Sequence, residues 1–166
     1  MYKTSVRWMI RRNIRRLNEG KYEPALRMFA TDGTLAFPGD NSWAHQYRDP
    51  THGRAAFVTH RGRDELEGFL RRYIGTGMQM VVEDVLVNGP PWNMRAAARV
   101  HHWIPGPAGE DVYSNRAVLM VRAVWGKIRS QEDYEDTERV TEYDRLMEGS
   151  GRDDRSGAAG HRQSAP

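Results

Sequence analysis

Apolar positions recur at helical spacing along the first part of the chain. Val6, Met9, Ile10, Ile14 and Leu17 share one face of a helix that Gly20 ends, and arginines fill the opposite face. A second short helix with its own apolar face is expected from Tyr22 to Phe29. Asp32-Gly33 is a turn signal, and Thr34 to Phe37 reads as a short strand closed by Pro38-Gly39. The period is lost over residues 38–62, a long polar segment containing Trp43 that reads as a lid or binding loop. It returns at Asp64, the expected cap of a helix. Leu66, Phe69, Leu70, Tyr73 and Ile74 follow at i, i+3, i+4, i+7 and i+8, and Gly75 and Gly77 stop it.

From residue 79 the period changes to two. QMVVEDVLVN, NMRAAARVHHWI, VYSNRAVLMVRAVW and KIRSQEDYED are four strand candidates separated by glycine- and proline-rich turns or by Trp-Gly-Lys. The third is long enough to require a bend or a bulge. Glu138 to Met147 can close the domain as a helix, with Asp136-Thr137 as its cap. Residues 149–166 contain no large apolar side chain and are expected to be a disordered tail, leaving one domain over residues 1–148. Helices followed by a run of strands predict an α+β fold. A curved antiparallel sheet would pack on the N-terminal helices and form a cone with an internal pocket.

Composition narrows the class. The chain has 166 residues, 39% of them hydrophobic, enough for a real core and too apolar for disorder. No apolar run approaches a membrane span. The absence of cysteine excludes disulfides and thiolate metal sites and fits a cytoplasmic location. Histidines at 45, 52, 60, 101 and 102 lack ligand spacing, so neither a metal nor a cofactor is expected. The net charge of +3 is unevenly placed. Residues 1–30 hold eight Lys/Arg against Glu19 and Glu23, and residues 131–148 hold eight acids against Arg139 and Arg145. The two ends could pair across the fold or across a dimer. The basic helix runs on into a second amphipathic one, which favours a structural helix over a presequence or a membrane-surface helix. It has no nucleic-acid motif and no interleaved loop aromatics, so nucleic acid is not the expected partner.

Side chains on a strand alternate between faces. On the last strand Gln131, Asp133 and Glu135 would face the pocket, with Ile128, Ser130, Tyr134 and Asp136 behind. Tyr113, Asn115, Ala117 and Leu119 would share the pocket side on the strand before it, and Arg99, His101 and Trp103 on the strand before that. Each set mixes apolar residues with a few polar ones, as ligand pockets do. The expected ligand-binding residues are Trp43, Trp103, Tyr113, Asn115, Gln131 and Glu135. Burial in an apolar cone raises a carboxylate's pKa, and a neighbouring arginine lowers it again. A base so poised near neutrality suits enolisation, cyclisation or water attack.

The element order, with Gly126-Lys127-Ile128 followed by Asp133-Tyr134-Glu135-Asp136, resembles the nuclear-transport-factor-type superfamily of cystatin-like α+β cones over about residues 5–147. That superfamily includes SnoaL-like polyketide cyclases, ketosteroid isomerases and limonene epoxide hydrolases. Arg99-Val100-His101 is similar to the hydrolases' Arg-x-Asp pattern with His in place of Asp, and Asp133 to Asp136 matches their Asp-Tyr-x-Asp pattern. The resemblance implies catalytic roles for Asp133 as base, Arg99 as its orienting charge and His101 as acid partner. Leu35 and Phe37 stand where the hydrolases hold their water with Tyr and Asn, so that water geometry is not implied. The isomerases' tyrosine-plus-protonated-aspartate pair has no counterpart that the sequence locates. The implied function is a cofactor-free acid–base enzyme, an isomerase, cyclase or hydrolase of an apolar small molecule. The alternative is a non-catalytic ligand-binding or dimerisation module of the same fold. The resemblance also implies a homodimer through the outer sheet face, here Val118, Met120 and Tyr134 beside Arg116, Arg122, Glu132 and Asp136.

Overall fold

The structure is a computed structural model that describes residues 1–39 and 57–149. Trp43, most of the expected lid and residues 150–166 of the expected tail lie outside the described residues. The chain runs through α1 (Tyr2–Asn18), α2 (Glu23–Met28), β1 (Phe29–Pro38), β2 (Phe57–Arg61), α3 (Gly62–Gly75), β3 (Gln79–Asn88), β4 (Met94–Pro105), β5 (Asp111–Val124), β6 (Lys127–Glu135) and α4 (Thr137–Gly149). A single 3-10 turn, Pro91–Asn93, links β3 to β4.

The six strands form one sheet in the order β2-β1-β6-β5-β4-β3. It is mixed rather than purely antiparallel. The meander β3 to β6 pairs antiparallel throughout, and its last strand then lies parallel to β1. Strand β2 was not expected; it pairs antiparallel with Thr34 to Pro38 at the end of the segment read as a loop. Asp32-Gly33 is not a turn between elements but an irregularity inside β1, where the register to β6 shifts between Phe29 and Thr34. Gly33 makes that possible, since a Cβ there would lie 2.9 Å from the Ala30 carbonyl and 3.1 Å from that of Ile128.

Helix α1 lies against β3, and two side chains hold it there. Asn18 Nδ2 donates to the Met80 carbonyl at 2.8 Å while its Oδ1 accepts from the Met80 amide at 3.0 Å. Arg7 Nε donates to the Val85 carbonyl at 3.0 Å. Helix α3 packs on β1 and β2, and α4 on β5. Leu66, Val100 and Val140 are the most completely buried large side chains of the resulting core. Asp136, expected on the outer side of the last strand, lies past the end of β6: its Oδ1 accepts from the Glu138 amide at 3.0 Å and caps α4. No helix among the described residues is long and apolar enough to cross a membrane.

Candidate functional site

Between the helices and the concave face of the sheet lies a cavity of about 170 Å³. Its walls are apolar along most of their length: Val6, Ile10 and Leu17 from α1, Phe69 and Leu70 from α3, Leu35 and Phe37 from β1, and Met94 and Ala98 from β4. Tyr73, His102, Gln131, Asp133 and Glu135 also line it. Strand pairing explains why these polar groups meet: Leu119 pairs with Asp133, Ala117 with Glu135, and Val100 with Ala117. Glu135 and His102 therefore stand on neighbouring inward positions across β5.

Burial governs the ionisation of this group. The Asp133 carboxyl is pushed up to about 7 by desolvation, against which a 2.9 Å hydrogen bond donated by Gln131 Nε2 works. Glu135 rises to about 8, first by desolvation and then by the charges of Asp133, Asp144 and Asp136. His102 falls to about 4, by desolvation and then by proximity to His101. Near neutral pH, Glu135 is thus protonated, His102 neutral and Asp133 shared between its two forms. His102 Nε2 lies 3.8 Å from Glu135 Oε2, beyond hydrogen-bond reach, and two neutral groups form no ion pair. The Tyr73 hydroxyl is buried without a hydrogen-bond partner among the described residues, and its pKa is raised by desolvation and then by the Asp133 charge.

Three expected pocket residues face the other way. Arg99 is 62% exposed on the outer face and pairs with Glu83 at 2.9 Å. His101 bonds Ser114 Oγ at 2.9 Å and stacks on Trp103, with ring centroids 5.3 Å apart. The inward residues of β4 are Met94, Ala96, Ala98, Val100, His102 and Ile104, the opposite parity. Arg99 and His101 are therefore not available to Asp133. Tyr113 and Asn115 are inward and buried but do not line the cavity. Asn115 Nδ2 donates to the Tyr113 hydroxyl at 3.0 Å and to the Asp136 carbonyl at 2.9 Å, which ties β5 to the start of α4. Ile128, expected behind, lines the cavity, because a register shift opposite Arg122 and Ala123 reverses the parity at the start of β6. His102 and Tyr73 were missed as polar cavity residues. Among the described residues no group of three or more His, Asp or Glu is placed to hold a metal ion.

A mixed sheet of this strand order, covered by helices on the concave face over a lined cavity, defines the nuclear-transport-factor-type α+β cone. Solved structures share it. TerC co-crystallised with polyporic acid superposes with a TM-score of 0.61 at 17% identity, over 81% of this chain and 94% of that one. A loop-truncation variant of IdmH gives 0.57 at 19%, over 81% and 95%. An NTF2-like protein from Burkholderia xenovorans gives 0.54 at 14%, over 82% and 92%. At such identities the likeness is one of fold. No protein-family model and no curated protein matches the sequence.

Proposed function

We propose that this chain is a cytoplasmic, cofactor-free acid–base enzyme that moves a proton on an apolar carbonyl compound, an isomerase or cyclase in reaction class. The observation that carries the reading is a pair of buried carboxyls in one apolar cavity, held in different environments. Asp133 is poised at about 7 and can take a proton, while Glu135 at about 8 still carries one. In the forward step the Asp133 carboxylate removes a proton from carbon next to the carbonyl. The developing enolate oxygen accepts hydrogen bonds from the Glu135 carboxylic acid and the Tyr73 hydroxyl. Reprotonation from Asp133 at another carbon completes isomerisation; in cyclisation the enolate carbon attacks a second carbonyl and the alkoxide so formed takes the proton back from Asp133. This division of labour is that of the ketosteroid isomerases, a base with a tyrosine and a protonated acid as oxyanion donors. Hydrolysis is less well supported, because Leu35 and Phe37 offer no group to hold a water.

The test is proton–deuterium exchange next to the carbonyl in a panel of cyclic and unsaturated ketones, followed by NMR in deuterated buffer. Asp133→Asn keeps shape and removes the acceptor, so exchange should fall by at least about 10²-fold while ligand binding survives. Loss in Glu135→Gln with retention in Asp133→Asn would exchange the two roles. Ligand binding with no exchange in the unaltered protein would leave the non-catalytic binding module as the better reading. We further propose a homodimer through the outer sheet face, which the helices leave uncovered.

A further inference from the structure

The carboxyls of Asp133 and Glu135 are buried in a cavity that supplies no counter-charge. Among the described residues that line it there is neither lysine nor arginine. Other acids deepen the deficit, since the charges of Asp144 and Asp136 bear on Glu135 from α4 and its cap. With nothing bound, the pair escapes the cost of buried charge by holding protons. A bound cation would offset that cost in another way.

The hydrogen-bonding groups around the pair point to such a cation. The side chains of Glu135 and His102 are 2% and 8% exposed, and Tyr73 is buried. Glu135 Oε1, His102 Nε2 and the Tyr73 hydroxyl have no hydrogen-bond partner among the described residues, and all three side chains line the cavity. Glu135 Oε2 and His102 Nε2 stand 3.8 Å apart, too far to bond each other and close enough to share one donor nitrogen set between them. Each of these groups can accept: the carboxylate oxygens, the hydroxyl oxygen, and Nε2 of an imidazole whose proton sits on Nδ1. The one amide donor beside them, Gln131 Nε2, is already spent on Asp133 Oδ1 at 2.9 Å. An ammonium group brings three N–H donors and no acceptor, which is the complement of this set.

The rest of the cavity sets the size of the ligand's body. Phe37, Phe69 and Tyr73 form a row of rings with centroids 5.0 Å and 6.4 Å apart, and ring faces attract a cation. The row ends at Tyr73, which feels the Asp133 charge. The volume is about 170 Å³. A dry apolar cavity of about 150 Å³ takes one benzene, so a single ring on a short arm fits.

We infer that the cavity binds a small apolar amine as its ammonium ion, with Asp133 and Glu135 as the counter-charge and His102 and Tyr73 as further acceptors. Such binding needs the cavity but not the proton-transfer chemistry. With the ammonium ion in place neither carboxyl is free to move a substrate proton, so an amine of this size excludes the reaction.

The experiment is calorimetric titration of the full chain with benzylamine, benzyl alcohol and benzoate, at about pH 7, where the amine is an ammonium ion. The three share ring and arm and differ in charge. Benzylamine should bind at least about tenfold more tightly than benzyl alcohol, and benzoate more weakly than either. Asp133→Asn and Glu135→Gln should each narrow the gap. The double variant should close it while keeping the affinity for benzyl alcohol, which reports an intact cavity. Glu142→Gln, at an exposed acid of α4, should leave the gap unchanged. A second measurement needs no variant: in NMR of the unaltered protein with isotope-labelled carboxyl carbons, benzylamine should move the Asp133 and Glu135 resonances to their ionised positions, and benzyl alcohol should not. Equal affinity for amine and alcohol, a gap that the double variant keeps, or carboxyl resonances that benzylamine leaves in place would overturn the ammonium site. Binding of benzyl alcohol would then leave the cavity standing as a ligand site, and the deuterium-exchange test decides proton transfer separately. Binding of none of the three would overturn the ammonium site as well.

Discussion

Asp133 and Glu135 sit two residues apart on one strand, on the same face and in the same cavity, and among the described residues neither has a cation to neutralise it. That arrangement is unfavourable to folding at high pH. A carboxyl whose folded pKa exceeds its unfolded value binds its proton more tightly in the folded chain. Its contribution to stability is full below the unfolded value and is lost as pH rises through the folded one. For Asp133 that window runs from 3.8 to about 7, and for Glu135 from 4.5 to about 8. His102 works oppositely: its folded value of about 4 lies under the ordinary 6.5, so stability is gained as pH rises between them. Above pH 6.5 only the two carboxyls of this group still titrate. Melting temperature should therefore fall between pH 6.5 and 8, and Asp133→Asn or Glu135→Gln should flatten the decline. A melting temperature that holds constant or climbs across that window in the unaltered protein would contradict the burial of both groups. The same pair governs the rate of proton transfer. Activity should rise as Asp133 ionises and drop as Glu135 loses its proton, giving a narrow bell whose two limbs belong to the coupled pair. Glu135→Gln should abolish the alkaline limb alone.

At the scale of elements, α1 is seated on β3 by its apolar face and by Arg7 and Asn18, and Asn18 is the one of the two that bonds both an amide and a carbonyl. Strand β3 is an edge, so the Met80 amide and carbonyl have no further strand to bond, and one asparagine amide satisfies both. Asn18→Ala leaves two partly buried backbone groups without partners and should cost about 1–3 kcal/mol, read from denaturant midpoints. Asn18→Asp keeps the acceptor and loses the donor, and should fall between. No change in Asn18→Ala would show that the apolar face and Arg7 seat α1 without it. That face was legible in the sequence, because Val6, Ile14 and Leu17 recur with the helical period; the same holds for α3, for the alternation on β5 and for β6 from Gln131 onward, though not for Ile128 before the register shift. Strand β4 was misread although its alternation was plain. Met94, Ala96, Ala98 and Val100 are apolar at even positions, while Arg95 and Arg99 share the parity of His101. Following burial alone would have turned His102 inward; following the likeness to an Arg-x-Asp pattern turned it out. Tyr73 was placed correctly on the apolar face of α3, but nothing in a helical period shows that its hydroxyl ends in a cavity beside a carboxylate. Strand β2 was hidden for a different reason, since an edge strand of five residues with histidine, threonine and arginine takes its stability from pairing with β1 rather than from local pattern.

Among the described residues the helices cover one sheet face and leave the other open, and the open one leads to the prediction about assembly. On it Phe57, Met120 and Tyr134 are 42%, 43% and 46% exposed, and the rings of Phe57 and Tyr134 meet edge to face at 5.7 Å. Arg95 and Arg122 are paired across β4 and β5, and Met120, the next outward residue of β5, pairs directly with Glu132 on β6. A two-fold axis through such a patch sets apolar centre on apolar centre and brings the arginines of one copy toward the acids of the other. The proposed dimer should therefore scatter light as twice the 19.1 kDa chain at tens of micromolar. Met120→Glu puts a charge at the apolar centre of both copies at once. It should give monomers whose far-ultraviolet circular dichroism is unchanged, because residue 120 is outward and the core does not use it. Arg122→Glu tests the charge half of the argument: it should weaken the dimer more at low salt than at high salt. Paired with Glu132→Arg it should restore part of the lost association. A mass equal to one chain in the unaltered protein would end the dimer reading. A dimer that survives Met120→Glu would move the interface off this face.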